Sequence, residues 1–179
     1  MVAVSKHIAA LSASPHRFQC SIEAIHCNNA GSLDNADVER LTLITPGLKD
    51  VFLDSARHLT DQALVYTLSA CPSIRRISIS GDDRCQGSIT LASTQFRSAI
   101  QNSRYGRRLK HLILMDQRLR RKQAKVISKT RLNMGIVGGE TVGDSNAAQM
   151  VAELTGGGFS RFAYLNGGEV PHSHDRVHY

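Results

Sequence analysis

The sequence predicts an α/β solenoid of about five strand-plus-helix units, and three observations carry that expectation. The stretch from Leu59 to Ile79, LTDQALVYTLSACPSIRRISI, runs from a polar cap through an amphipathic helix and a Cys71-Pro72 turn into a strand with apolar Ile74, Ile77 and Ile79. Shifting the chain back by 26 residues overlays a second copy, with Leu33-Asp34 on Leu59-Thr60, Thr45-Pro46 on Cys71-Pro72, and Leu48, Val51 and Leu53 on the three isoleucines. The apolar triplet returns at Ile22, Ile25 and Cys27 and, after about nine extra residues within 82–88, at Leu109, Leu112 and Leu114. A fixed period in the 20s marks stacked units, none of which can bury its apolar face alone.

The elements follow in chain order. Residues 3–13 can form a short helix ending before Ser14-Pro15. Strands are expected near 22–27, 48–53, 74–79, 109–114 and 132–137. The helix between the first two runs from Asn35 to Ile44 with Asp34 as N-cap, and turns Val38, Leu41 and either Leu43 or Ile44 inward. The next, Asp61 to Ala70, buries Ala63, Leu64 and Leu68. A helix from about Leu91 to Ser103 uses Phe96 and Ile100, and one from Arg118 to about Lys129 turns Leu119, Val126 and Ile127 inward. Basic residues in the first turn of this last helix oppose its dipole, so they are not there for helix stability. The final strand is looser because Gly135 breaks the apolar spacing. The repeat domain spans 1–145, and 146–179 is a C-terminal helix (Asn146 to Leu154) followed by a Gly- and His-rich tail with at most a short strand at Phe162 to Leu165.

Composition sets the outer bounds. A chain of 179 residues, 41% apolar and without Trp, suits one domain with small aliphatic layers. Cys20, Cys27, Cys71 and Cys85 show no metal-binding spacing and read as reduced thiols, which points to the cytoplasm or nucleus. No apolar run reaches membrane-spanning length, and the first residues are too polar for a secretory signal. His172, His174 and His178 lack a carboxylate or thiolate partner for a metal, and no cofactor is called for. Gly138-Gly139 before a helix matches no phosphate-loop pattern. No nucleophile has a positioned base, and paired carboxylates are missing, so catalysis is not expected.

In such a solenoid the variable strand positions line the concave face in columns. The first column is Glu23, Lys49, Arg75 and Lys110, the second Ala24, Asp50, Arg76 and His111, and the third His26, Phe52, Ser78 and Ile113. Strands about 4.8 Å apart let four such residues sample roughly 15 Å of a partner. Lys49, Arg75, Arg76 and Lys110 make the centre basic, and Phe52 and Ile113 offer apolar anchors. The candidate binding residues are these six with Asp50, Ser78 and His111, and the partner they suit is an acidic or phosphorylated protein segment.

The unit Cys71-Pro72-Ser73-Ile74-Arg75-Arg76-Ile77-Ser78-Ile79, preceded by Leu59-Thr60-Asp61-Gln62-Ala63-Leu64, resembles the cysteine-containing leucine-rich repeats of F-box proteins, with a fungal tone, over residues 14–137. It departs from that pattern where Ala30, Ala56 and Asp82 replace the polar ladder residue, and where Ser14 and Thr45 replace the cysteine before proline. The resemblance implies a leucine-rich-repeat protein-binding module, the substrate-recognition or adaptor part of an F-box-type ubiquitin ligase. The segment ahead of the repeats is too short for the ligase-docking F-box itself. Two other readings stand beside it. A net charge of +7 and a pI near 9.6 would suit a basic nucleic-acid-associated protein, which the lack of aromatics interleaved with Arg118–Lys122 disfavours. A truncated repeat fragment without independent function is the third.

Overall fold

A computed structural model describes residues 22–82, 86–102, 104–131 and 134–139, together with the strand at 162–165. The α/β class is as expected. Among the described residues four helices alternate with strands: β1 (Ala24–Cys27), α1 (Asn35–Ile44), β2 (Asp50–Leu53), α2 (Asp61–Ala70), β3 (Arg76–Ser80), α3 (Thr94–Gln101), β4 (His111–Met115), α4 (Arg121–Thr130), β5 (Gly135–Gly139) and β6 (Phe162–Leu165). The strands form one open sheet in the order β1-β2-β3-β4-β5-β6, every neighbouring pair parallel. The predicted helix between Asn146 and Leu154 and that at 3–13 lie outside the described residues.

The 26-residue period becomes physical in the pairing register. Ala24 faces Asp50 and Asp50 faces Arg76, then Arg76 faces His111 across the longer third step. The same turn leads into four successive strands. Leu48 N donates to Thr45 O, Ile74 N to Cys71 O, Leu109 N to Gly106 O and Met134 N to Arg131 O, at 3.0–3.2 Å. Met134 therefore takes the place expected of Leu132, and the last strand lies two to three residues later than the sequence suggests. The other strands likewise start about two residues late, and in β2, β3 and β4 this is because Leu48, Ile74 and Leu109 close the turn before the ladder begins.

Alternate strand residues meet the helices. Val51, Leu53, Ile77, Ile79, Leu112 and Leu114 join Val38, Leu64, Leu68, Phe96 and Ile100 in one continuous core. Burying an aliphatic side chain contributes about 1.5–3 kcal/mol, and helices of 8–10 residues would not persist without it. Val126 (55% exposed) and Ile22 (41% exposed) face solvent, and of the alternatives Leu43 and Ile44 it is Ile44 that is half-buried. Thr42 and Ile127, next in sequence to Leu43 and Val126, are buried.

Hydrogen bonds from unit to unit fix the helix ends. Asn35, the first residue of α1, accepts from Thr60 N and donates to Thr60 Oγ1, both at 3.0 Å, so it holds the N-cap of α2. Asp61, 26 positions later, does more. Its buried carboxylate accepts from Thr90 N (2.8 Å), Leu91 N (2.9 Å), Ser93 N (2.8 Å) and Thr90 Oγ1 (3.2 Å). These bonds hold Leu91 in the left-handed region at φ 58°, where a non-glycine residue is strained. Helix α3 therefore starts at Thr94, after the Ser93 cap, and not at Leu91. For a related reason α4 starts at Arg121 and not at Arg118. The amides of Arg118 and Arg120 are bonded to Gly87 O (3.3 Å) and Thr90 O (3.4 Å), which ties the approach to α4 against the preceding loop.

At the opposite helix ends, Cys71 Sγ donates to Thr45 O at 3.6 Å, and the Arg131 guanidinium donates to Ile100 O (2.8 Å), Asn102 O (3.0 Å), Tyr105 O (2.5 Å) and Gly106 O (2.5 Å). Burial pushes the Cys71 thiol up to about 12, so it remains an uncharged donor. Gly106 at φ +51° lies so close to Leu68 that a Cβ there would meet Leu68 Cδ2 at 2.3 Å.

Removing the Asp61 carboxylate leaves three backbone donors without their acceptor, each costing about 1–3 kcal/mol when buried. Asp61→Ala should lower the unfolding free energy by about 3 kcal/mol or more in urea titration. A loss below 1 kcal/mol would show that the Thr90–Ser93 turn holds itself.

Candidate functional site

The sheet face opposite the helices carries the predicted columns in strict register. In the second column Ala24, Asp50, Arg76, His111 and Gly135 are successive partners, and in the third His26, Phe52, Ser78, Ile113 and Val137. The first column sits at the strand mouths. There Lys49 N donates to Glu23 O, Arg75 N to Lys49 O and Lys110 N to Arg75 O, at 2.7–2.8 Å. The repeat thus brings Lys49, Asp50, Phe52, Arg75, Arg76, Ser78, Lys110 and His111 together on one surface.

Charge on that surface is partly compensated. Lys49 Nζ forms an ion pair with Glu23 Oε1 on the neighbouring strand mouth. Arg76 Nε lies 3.9 Å from Asp50 Oδ1, and the Arg76 guanidinium sits 5.7 Å from the centre of the Phe52 ring. Arg75 and Lys110 are exposed and form no ion pair among the described residues. They are the positive charges left for a partner. Exposed ion pairs contribute little to stability, so the Lys49 and Arg76 pairs matter here mainly because they reduce the charge on offer.

Phe52 belongs to a stack across three strands. Its ring is 4.2 Å from the His26 imidazole with 16° between the planes, and Arg76 covers it from the other side. His26 was present in the sequence columns, yet nothing in the spacing singled it out. Two rings directly opposite each other in a parallel ladder are the signal that reveals it.

The anchor role expected of Ile113 does not survive. Ile113 is 4% exposed and clusters with Met115 and Val137, separately from the main core. It points away from the helices as the alternation requires, but its side chain is not available to a partner. Phe52 is the apolar anchor that remains, half-buried.

His111 stands in the second column opposite Arg76 and next in the chain to Lys110. Burial is the first cause that lowers its pKa below the usual imidazole range, the positive charges of Arg76 and Lys110 add to the shift, and Asp50 opposes it. The imidazole is thus neutral at pH 7 and offers hydrogen bonds without adding positive charge.

Among the described residues no group of three His, Cys, Asp or Glu side chains is placed to hold a metal ion, and no helix is long and apolar enough to cross a membrane. The C-terminal histidines, Cys20 and Cys85 lie outside the described residues. No family model and no curated protein matches the chain. The likeness to F-box leucine-rich repeats therefore rests on the residues quoted for it above.

The depressed pKa of His111 has a sign that can be measured. The unfolded chain, with an ordinary imidazole near 6.5, takes up this proton at higher pH than the folded chain. Stability contributed by keeping His111 neutral is therefore present above about pH 6.5 and is lost as pH falls from there towards the lower folded pKa. Urea unfolding at pH 7.5 and 5.5 should show a smaller drop for His111→Asn than for the parent chain. Equal drops in the two proteins would mean that His111 titrates alike in both states.

Proposed function

We propose that the protein is a leucine-rich-repeat solenoid that binds an acidic or phosphorylated protein segment on the helix-free face of its sheet. The observation that carries this reading is the pairing of two unneutralised cations, Arg75 and Lys110, at adjacent strand mouths with the Phe52 ring two columns along on the neighbouring strand. Arginine grips a carboxylate or phosphate through two parallel hydrogen bonds, lysine adds a mobile point charge, and the stacked ring supplies an apolar contact beside them. An extended segment laid across the strands meets one such residue about every 4.8 Å.

The solenoid part of the reading is supported by the register step of 26 residues, the repeated turn before four of the strands, and the bonds from α1 to the cap of α2 and from α2 to the cap of α3. The role within an F-box-type ubiquitin ligase rests on the sequence resemblance alone, centred on the Cys71-Pro72 unit. In the fold this unit has a clear physical use, because the Cys71 thiol bonds back to the preceding junction at Thr45.

An array of acidic and phosphoserine-containing peptides tests the reading. The parent protein should select a subset, and Arg75→Glu/Lys110→Glu should lose at least tenfold in affinity for it while its urea unfolding midpoint stays unchanged. Selection of the same peptides with the same strength by both proteins would remove this face as the binding surface.

A further inference from the structure

The positive charge of this protein is not spread over its surface. Residues 104–131 hold 11 of the 22 Lys and Arg and a single acid, Asp116, which is buried (8% exposed). The other 151 residues carry 11 bases against 14 acids. The net charge of +7 is thus the sum of one strongly basic unit and a mildly acidic remainder.

Apart from Lys110, the fold places the exposed bases of this unit on α4 and the segments that flank it and β4. Lys122, Lys125 and Lys129 are all exposed and lie on one stripe of α4, at steps of about 4.5 and 6 Å along its axis. The loop that enters β4 carries exposed Arg104, Arg107 and Arg108. Arg131, the C-cap of α4, fastens the two together through its four hydrogen bonds to the carbonyls of Ile100, Asn102, Tyr105 and Gly106. The arginine loop is thereby held at the end of the helix where Lys129 sits, and exposed Arg118 and Arg120 extend the charge past the other end. Helix α4 accepts a structural cost for this arrangement. Its N-cap makes no side-chain hydrogen bond and its first turn is basic, which opposes the helix dipole.

An aromatic ring is placed within the charge. Tyr105 is 36% exposed, between Arg104 and the Arg107-Arg108 pair. We infer that the α4 stripe and the Arg104–Arg108 loop form a binding surface for single-stranded nucleic acid, with lysines and arginines on successive phosphates and Tyr105 stacking on an unpaired base. A phosphate backbone is an evenly charged string, which a row of evenly stepped cations follows, and a stacking ring beside a basic track is the usual means of holding unpaired bases without sequence preference. An anionic membrane would call for an apolar face to insert, whereas the exposed stripe of α4 offers Val126 alone. This surface is separate from Arg75 and Phe52, so it adds a second ligand class to the protein-binding face.

Fluorescence anisotropy with a labelled 12-nucleotide oligo-uridine tests it. The full chain should bind with an affinity that falls steeply with salt, since each phosphate contact to a single strand adds about −0.7 to the log–log slope. Lys122→Glu/Lys125→Glu/Lys129→Glu should weaken binding at least 100-fold and reduce the slope by about 2. The loop variant Arg107→Glu/Arg108→Glu, away from any helix, should act in the same direction and guards against a helix variant that fails to fold, with circular dichroism checking both. Tyr105→Ala should cost about tenfold. Arg75→Glu/Lys110→Glu should retain at least half of the affinity carried by the flank. The proposal falls if neither the helix nor the loop variant changes affinity, if the Arg75/Lys110 change weakens it as much as they do, or if poly-glutamate or phosphatidylserine vesicles compete as well as unlabelled RNA.

Discussion

The first two helices each begin by holding the one that follows. Asn35 at the start of α1 binds the Thr60 cap of α2, and Asp61 at the start of α2 binds the Ser93 cap of α3 together with the turn before it. Hydrogen bonds to a charged group contribute about 1.5–3 kcal/mol each, so the Asp61 carboxylate is among the strongest single points of attachment in the fold. Without such bonds the helices would be free to rotate or slide on the shared core, because apolar contact has no direction of its own. Their effect is to make the 26-residue period a rigid geometrical step, and every column on the opposite face inherits it.

That inheritance explains both the order and the limits of the binding face. Residues one period apart arrive side by side, so Glu23 is delivered to Lys49 and Asp50 to Arg76 as surely as His26 is delivered to Phe52. A repeat that aligns cations therefore aligns their counter-charges as well. The longer third step brings in Lys110 opposite Arg75, neither of which forms an ion pair among the described residues, and positive charge is left over at that point. The basic surface on α4 and its neighbouring loop has another origin. It comes from the composition of one unit, and Arg131 holds its two parts together.

Much of this was legible from the sequence because caps and period agree. Asp34 and Thr60 mark helix starts, and both α1 and α2 occupy the ranges the sequence implies. The later helix starts were misplaced because they depend on bonds between distant residues, Asp61 to Leu91 and Gly87 to Arg118, which no local propensity encodes. Val126 faces solvent although the pattern turns it inward, because an apolar side chain next to a buried one satisfies the helical pattern almost as well. The columns themselves followed directly from the alternation of strand residues. Ion pairing and the burial of Ile113 did not, since both depend on what lies beside a residue in space. The charge asymmetry was countable all along, but it gained meaning only when the Arg104–Arg108 loop and the α4 lysines proved to be joined.

The longer step between β3 and β4 has a consequence for how this architecture can vary. Pairing across it spans 35 residues in place of 26, yet closing the larger loop costs only about 0.3 kcal/mol more in chain entropy. A carboxylate that collects three amides of one turn makes up for far more than that. What the stack requires is therefore not a fixed number of residues between strands but a returning turn able to present its N–H groups to Asp61. The segment between β3 and α3 is thus a natural grafting point, where a foreign peptide could be inserted and displayed without disturbing the registration of the sheet on either side.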